Sequence, residues 1–483
     1  MKLFSILPIA LCAGLTLGQD LCIENEQLLV ASDQNNLALF GIHVDTDGQT
    51  VVVGASDNSS TIFNGGAVYV FTDTGDGWSE VAILESLDLD PSDFVGYSVA
   101  VDGDTIVAGA WGDDGVDSLA GAAYIFERDF GGLDNWGQRT KLIAPNGGPN
   151  DLLGFDVDVS GDMAVVSALL DNDAVLDQGS VYLYCKDSGT GDWDFVLQLL
   201  APDPIADAQF GSGVAIDGDT LIVGAVGDNQ VGAFGGAAYI FERNLGGQDA
   251  WGLRTKIVAD TAGTNNQIND QFGFEVAIDQ DRIVIGAINR DLGGVFAGAA
   301  YLFERDEGGV DNWGQVHEFI PVDAHSGQQF GNTVAISGGR VVVGALRSNS
   351  LVSDTGSAYV FAVDEFGVWT EQIQLAASNP EMGDLYGSSV AINGDQMVVG
   401  ARIDTEAGID GGSATVIQLS SDCDVPCLAD LAEPFGVLNL QDVFAYLGLF
   451  NAQDPAADLA EPFEVLNLQD VFAYLASFNA GCP

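Results

Sequence analysis

Apolar residues arrive in short bursts along this chain, each cut off by Gly, Asp or Asn. In the stretch from 213 to 258 the bursts read Gly213-Val214-Ala215-Ile216, Leu221-Ile222-Val223-Gly224-Ala225, Ala237-Ala238-Tyr239-Ile240-Phe241 and Arg254-Thr255-Lys256-Ile257-Val258. Runs this short and β-branched predict strands, and Asp217-Gly218-Asp219 between the first two predicts a tight hairpin. The same turn recurs at Asp102-Gly103-Asp104, Ser160-Gly161-Asp162, Ser337-Gly338-Gly339 and Asn393-Gly394-Asp395. A bulky apolar residue precedes Gly at Phe40-Gly41, Val95-Gly96, Leu153-Gly154, Phe210-Gly211, Phe272-Gly273, Phe330-Gly331 and Tyr386-Gly387. The Gly-to-Gly steps are 55, 58, 57, 62, 58 and 56 residues. A period of that size means repeated units that bury their apolar faces against one another. Four hairpin-linked strands per unit predict an all-β, seven-bladed β-propeller of four-stranded antiparallel blades.

Tryptophan marks the same period. Trp78, Trp136, Trp193, Trp251, Trp313 and Trp369 stand just before the fourth phrase of units one to six, where a large ring suits a wedge between blades. The seventh unit lacks a fourth phrase after Ala414–Leu419. Glu26-Gln27-Leu28-Leu29-Val30-Ala31 resembles the fourth phrase Glu371-Gln372-Ile373-Gln374-Leu375-Ala376, so the N-terminal strand (26–31) is expected to complete the last blade and remove an open edge. That arrangement places Cys22 beside Cys423, and a Cys22–Cys423 disulfide is expected to staple the closure.

Phe-Gly-x-x-Val-Ala-Ile-x-Gly-Asp, Val-Gly-Ala and Gly-x-Ala-Tyr-x-Phe together resemble FG-GAP repeats, which build the seven-bladed propeller of integrin α subunits. The resemblance spans roughly Glu24 to Ser420, and the propeller domain is placed at 22–423. Calcium loops of the integrin kind are not carried over. The first hairpins are too short to wrap a cation, and Asp45-Thr46-Asp47-Gly48 lacks the remaining ligands. The loops after the Val-Gly-Ala strands are acidic, with Asp113, Asp114 and Asp117, Asp171 and Asp173, then Asp228 and Asn229. They admit two readings: ordinary turn chemistry, or weak cation or ligand binding on one face.

Composition then sets the environment. Lys2, an apolar run to Leu17 and small residues Thr16 and Gly18 read as a signal peptide over 1–18, so the mature chain is expected to be secreted or displayed at the cell surface. No other segment approaches a membrane span. With 14 basic against 71 acidic residues the formal charge is −57, which suits a salty exterior and opposes nucleic acid or anionic membrane as partner. Five cysteines follow the signal, an odd number; Cys185, inside a strand-like phrase, is the expected free thiol.

After Cys427 the chain duplicates. Ala429-Asp430-Leu431-Ala432-Glu433-Pro434-Phe435 returns at Ala457–Phe463, and each copy continues into Val-Leu-Asn-Leu-Gln-Asp-Val-Phe-Ala-Tyr-Leu. This pattern resembles a small α-helical dockerin, placed at 427–483, of the kind that ends in Gly-Cys-Pro. The resemblance implies a cohesin-like or cell-surface anchor as partner. It also implies calcium, with Asp430, Glu433, Asn439 and Asp442 in one loop and Asp458, Glu461, Asn467 and Asp470 in the other. The loops depart from the dockerin pattern, with Ala at position three and Pro at position five. Backbone carbonyls and water would have to complete the shell; otherwise the loops are simply capped and stapled. A Cys427–Cys482 bridge would suit so small a core.

Catalytic signatures are missing: no nucleophile elbow, His-Glu-x-x-His, phosphate loop or Cys-x-x-Cys occurs. His325 reads as an incidental residue on a blade-joining loop. The sequence therefore points to a non-enzymatic binding or adhesion propeller whose face meets an unknown protein or glycan. An extracellular polysaccharide-acting enzyme and a structural cell-envelope protein are the alternatives.

Overall fold

Twenty-eight strands form seven four-stranded antiparallel sheets in the computed structural model, which describes residues 21–33, 36–75, 77–260, 268–292, 294–348, 354–364, 366–405 and 411–420. Blade 1 shows the plan, with strands Val44–Thr46, Thr50–Ala55, Ala67–Asp73 and Trp78–Leu84 paired in chain order from the inside out. Blades 2 to 6 repeat it. Blade 7 is built from Tyr386–Asn393, Gln396–Ala401 and Ser413–Ser420, and its outermost strand is Cys22–Leu29 from the start of the chain. The ring therefore closes through the N-terminal strand. That strand begins earlier than the apolar pattern suggests, because its first residues pair as a sheet edge and need not be buried. The propeller unit runs from Ile23 to Leu419.

The core lies between blades. Each large apolar cluster draws on two neighbours; one joins Val165, Leu183 and Phe210 to Val223, Tyr239 and Trp251. The Phe of each Phe-Gly phrase enters such a cluster edge-on to a Tyr, as Phe40 does on Tyr69 at 5.1 Å. Trp193, Trp251, Trp313 and Trp369 are buried within these clusters, and Trp78 and Trp136 pack against two others.

Close approach of neighbouring blades explains the glycines of the motif. A Cβ on Gly54 would lie 1.9 Å from the carbonyl oxygen of Gly96 in the next blade, so Val-Gly-Ala and Phe-Gly must meet through bare backbone. The residue before each Phe-Gly phrase has a left-handed backbone: Leu39, Phe94, Leu152, Gln209, Gln271, Gln329 and Leu385 all have φ between 55° and 58°. Seven similar turns of this kind lead into the seven inner strands and set their alternation of side chains between blade core and central channel.

Several sequence-based expectations fall outside the described residues: the signal peptide 1–18, Cys423, Cys427, Cys482 and the whole dockerin-like segment with its eight calcium candidates. Cys22 is disulfide-bonded, and its sulfur lies 3.4 Å from the Ser420 carbonyl oxygen, at the end of the strand it pairs with. Cys185 is a half-buried free thiol.

Candidate functional site: the central channel

Along each inner strand, side chains alternate between blade core and channel. The second, fourth and sixth residues after the Phe-Gly glycine face inward, so seven strands stack three rings of side chains. The first ring is His43, Ser98, Asp156, Gly213, Glu275, Thr333 and Ser389. The second is Asp45, Ala100, Asp158 and four further alanines. The third closes the far end with Asp47, Asp102, Ser160, Asp217, Asp279, Ser337 and Asn393. Two cavities of about 390 and 290 Å³ share His43, Asp156, Glu275 and Thr333 as common wall. The smaller is a vestibule at the end where the Val-Gly-Ala strands finish, and Tyr97, Phe155 and Phe274 give it an aromatic wall.

Most ring residues serve the fold, because each accepts an N–H from the next blade. Val157 N–H reaches Ser98 Oγ (3.1 Å) and Val214 N–H reaches Asp156 Oδ2 (2.7 Å), while His43 Nδ1 lies 3.1 Å from Val99 O and 3.3 Å from Val99 N, its tautomer deciding whether it donates or accepts. Val390 N–H reaches Thr333 Oγ1 (3.3 Å), and Val44 N–H reaches Ser389 Oγ (2.9 Å) across the closure. Asp45 and Asp158 latch the second ring in the same way, accepting from Val101 and Ile216. At the far mouth Asp102 takes Gly161 N–H and Asp217 takes Gln280 N–H. Those hairpin aspartates are blade-to-blade clamps as well as turn formers.

Two members of the first ring break the rule. Gly213 has no side chain, and a Cβ there would press on the backbone of Glu275 at 3.1 Å. Glu275 latches nothing on blade 6; its carboxylate accepts only the N–H of its own neighbour Val276. Burial pushes its pKa well above the usual carboxylate range, and the charge of Asp156 pushes it further. Burial likewise raises Asp158 strongly and Asp45 to about 6, while it lowers His43 against the pull of Asp156. Burial therefore favours the protonated form of Glu275 and the neutral form of His43.

The vestibule holds further unused polar groups. Tyr97, Gln209, Gln329 and Arg402 line it, and none of their side chains makes a hydrogen bond or ion pair among the described residues. Every other described Lys or Arg, Arg347 excepted, forms an ion pair. Arg402 occupies a position that blades 3 to 6 fill with Leu169, Val226, Ile288 and Leu346. Burial and the nearby charge of Arg347 both lower its pKa.

The acidic loops of the sequence have a different fate. Asp113, Asp171 and Asp228 are 2%, 2% and 0% exposed, each under the tyrosine of its own blade. In blade 4, Tyr239 donates toward Asp203 (2.8 Å) and lies 3.1 Å from Asp228, and Lys256 Nζ sits 2.7 and 2.6 Å from the same two carboxylates. Blade 2 repeats this with Tyr124, Asp88, Asp113 and Lys141. Blade 3 replaces the lysine by Gln198. Blade 5 reverses the charges, with Arg290 on the loop and Glu318 on the strand, 3.7 Å apart. Asp113, Asp171 and Asp228 serve the turn reading, each Oδ1 accepting the N–H two residues on, from Gly115, Asp173 and Gln230, and through Oδ2 and the tyrosine they also anchor loops to blades. Among the described residues no group of three or more His, Cys, Asp or Glu is placed to hold a metal ion. Asp45 and Asp47 are engaged by backbone N–H groups of Val101, Gln49 and Thr50. His325 lies on the loop joining blades 5 and 6, with Nδ1 3.1 Å from Asp323 O.

A family model for the FG-GAP repeat matches residues 23–71, 78–126, 136–184, 193–241, 251–303, 313–361 and 369–417. The chain belongs to the FG-GAP repeat family. Each matched FG-GAP segment starts on the outer strand of one blade and ends on the third strand of the next. No curated protein matches the chain. Among solved structures this FG-GAP propeller is similar to the computationally designed Ika8 protein, at 12% identity over 82% of this chain and 100% of that one, with a TM-score of 0.43.

Sequence reasoning missed the channel site. His43 was visible only as a histidine within the propeller, and Glu275 and Arg402 drew no notice. The signal was available: within a fixed Phe-Gly-x-x-Val frame, the second x runs His, Ser, Asp, Gly, Glu, Thr, Ser.

Proposed function

We propose that the chain is an exported, non-catalytic binding propeller that takes its ligand at the channel vestibule and is held on a partner or cell surface by a dockerin-like, calcium-dependent tail. The observation that carries this reading is the unused polar set of Tyr97, Gln209, Glu275, Gln329 and Arg402 around an aromatic-walled cavity. A concave, mostly apolar pocket with a few convergent polar groups is the usual form of a small-ligand site. Groups that a fold needs for itself are hydrogen-bonded within it; these are left for something else. A glycan array, run beside a polymer-hydrolysis assay on the purified chain, tests the reading. Saturable binding without turnover supports it, and turnover of any polymer overturns it. A pull-down with the whole chain and with a chain ending at Ser420 tests the tail, since only the former should capture an anchor, and only with calcium present.

One observation favours the polysaccharide-acting alternative. Burial favours the protonated form of Glu275 beside Asp156, and an acid with a raised pKa near a second carboxyl is the equipment of glycoside hydrolysis. Asp156 is already committed to Val214 N–H, Val157 N–H and Ser98, which weighs against its acting as a nucleophile or base.

A further inference from the structure

We infer that the vestibule recognises a carboxylate-bearing sugar residue of the uronic-acid kind, with the carboxylate on Arg402 and the ring hydroxyls on Gln209, Gln329 and Glu275. The inference rests on the binding reading above and specifies its ligand. Arg402 is a guanidinium without an ion-pair partner among the described residues, in a chain of formal charge −57, set where four other blades carry aliphatic residues. Leaving it unpaired among so many acids makes sense if its partner comes from outside. A planar guanidinium matches a carboxylate bidentately.

The remaining unused groups select the rest of the ligand. Two amides and a phenol are neutral groups that both donate and accept, and burial biases the Glu275 carboxyl the same way, which suits hydroxyls better than a second charge. Tyr97 packs against Phe155 at 5.4 Å and edge-on to Trp111 at 5.9 Å, so its ring is held in place as an aromatic surface for the apolar face of a sugar ring. The overall negative charge does not forbid an anion here. Exposed charges more than about 8 Å away are screened at physiological salt, and the cation that acts on Arg402 from nearby is Arg347.

Isothermal titration of the full chain with sodium glucuronate, glucose and acetate tests the assignment. Glucuronate should bind saturably, with glucose and acetate at least roughly tenfold weaker. Arg402→Gln should weaken glucuronate roughly tenfold to a hundredfold and leave glucose unchanged. Glu275→Gln, which keeps hydrogen-bonding capacity, should retain most of the affinity. Equal melting temperatures for wild type and both variants would show that the fold is intact, and Arg139→Gln is the control for loss of a remote arginine. Oligosaccharides with terminal or internal glucuronate separate the sources: tight binding of the terminal form indicates a polymer end, and its exclusion indicates the free sugar. Acetate binding as well as glucuronate, a C-terminal peptide binding better than either, or Arg402→Gln behaving as wild type would each overturn the inference. In those cases a neutral glycan bound without turnover would leave the broader binding reading in place.

Discussion

In the tyrosine node of blade 4, Asp203 and Asp228 share the ammonium of Lys256 and the hydroxyl of Tyr239. In the central channel, Asp158 and Asp45 have no Lys or Arg in the cavity they line, and Arg402, which lines the vestibule with Glu275, makes no ion pair with it. Asp228 is buried and Asp203 is exposed; the node holds Asp203 below the usual carboxylate range through Lys256 and Tyr239, which outweigh burial, while the channel raises its acids through burial. Compensated acids are fasteners, and breaking one partner should unfasten them. Glu275, which latches no neighbouring blade and which burial biases toward its neutral form, costs the fold little to neutralise and stays free for a ligand. The same residue type thus has two meanings, separated by the company it keeps.

The largest effect expected from this contrast is the removal of a node cation. Lys256→Met strands two carboxylates, one of them fully buried, and should cost about 3–5 kcal/mol. Glu275→Gln in the channel should stay within about 1 kcal/mol of wild type or stabilise the chain. Urea unfolding of both variants checks this, and equal losses would erase the distinction.

Blade 5 offers a sharper version. Glu318→Lys should set two cations against each other and destabilise clearly. Adding Arg290→Asp restores the blade 4 polarity and should recover about 1–3 kcal/mol as a coupling term in a double-mutant cycle. Strict additivity would mean that the pair does not act as one unit.

Acid pH separates the two regions next. Asp45 is held up to about 6, with Asp93 and Asp270 at a similar value, so between there and the ordinary value near 4 the folded chain binds more protons than the unfolded one. Stability should therefore rise as pH falls from 7 toward 5. Asp88 and Asp203, held low, act oppositely, and their contribution is lost only below about pH 4. Calorimetric melting across about pH 3 to 8, compared with Asp45→Asn, should show a flatter slope between about 5 and 7 in the variant. The contribution of Asp45 alone is on the order of 2 kcal/mol.

The smallest effect belongs to the far-mouth clamps. Asp102→Ala removes one acceptor for Gly161 N–H at a solvent-exposed site and should cost about 1 kcal/mol, read from the same melts.

Much of the architecture was legible because it is local and repeated. Gly at the hairpins, Val-Gly-Ala and the displaced phrase at Glu26–Ala31 each carry their meaning within a few residues. The nodes were legible in principle. Tyr69, Tyr124, Tyr239 and Tyr359 each have an Asp 36 positions earlier, but that offset crosses from one blade to the next and follows no strand or helix period. The channel was harder. His43, Asp156 and Glu275 come from blades 1, 3 and 5 and meet only because the ring closes. Arg402 drew no notice, since nothing in its neighbourhood tells that the four aliphatic residues are its counterparts.

The out-of-phase repeat has a mechanical consequence. The strand Ser413–Ser420 lies between Gln396–Ala401 and the N-terminal Cys22–Leu29 in the last blade. Any pull on the chain beyond Ser420 therefore enters a strand with neighbours on both sides. Drawing it out means shearing two ladders together, whereas an edge strand would peel one bond at a time. The seam that closes the ring is also where a tethered propeller would bear load, and the disulfide at Cys22 sits at the end where that load arrives.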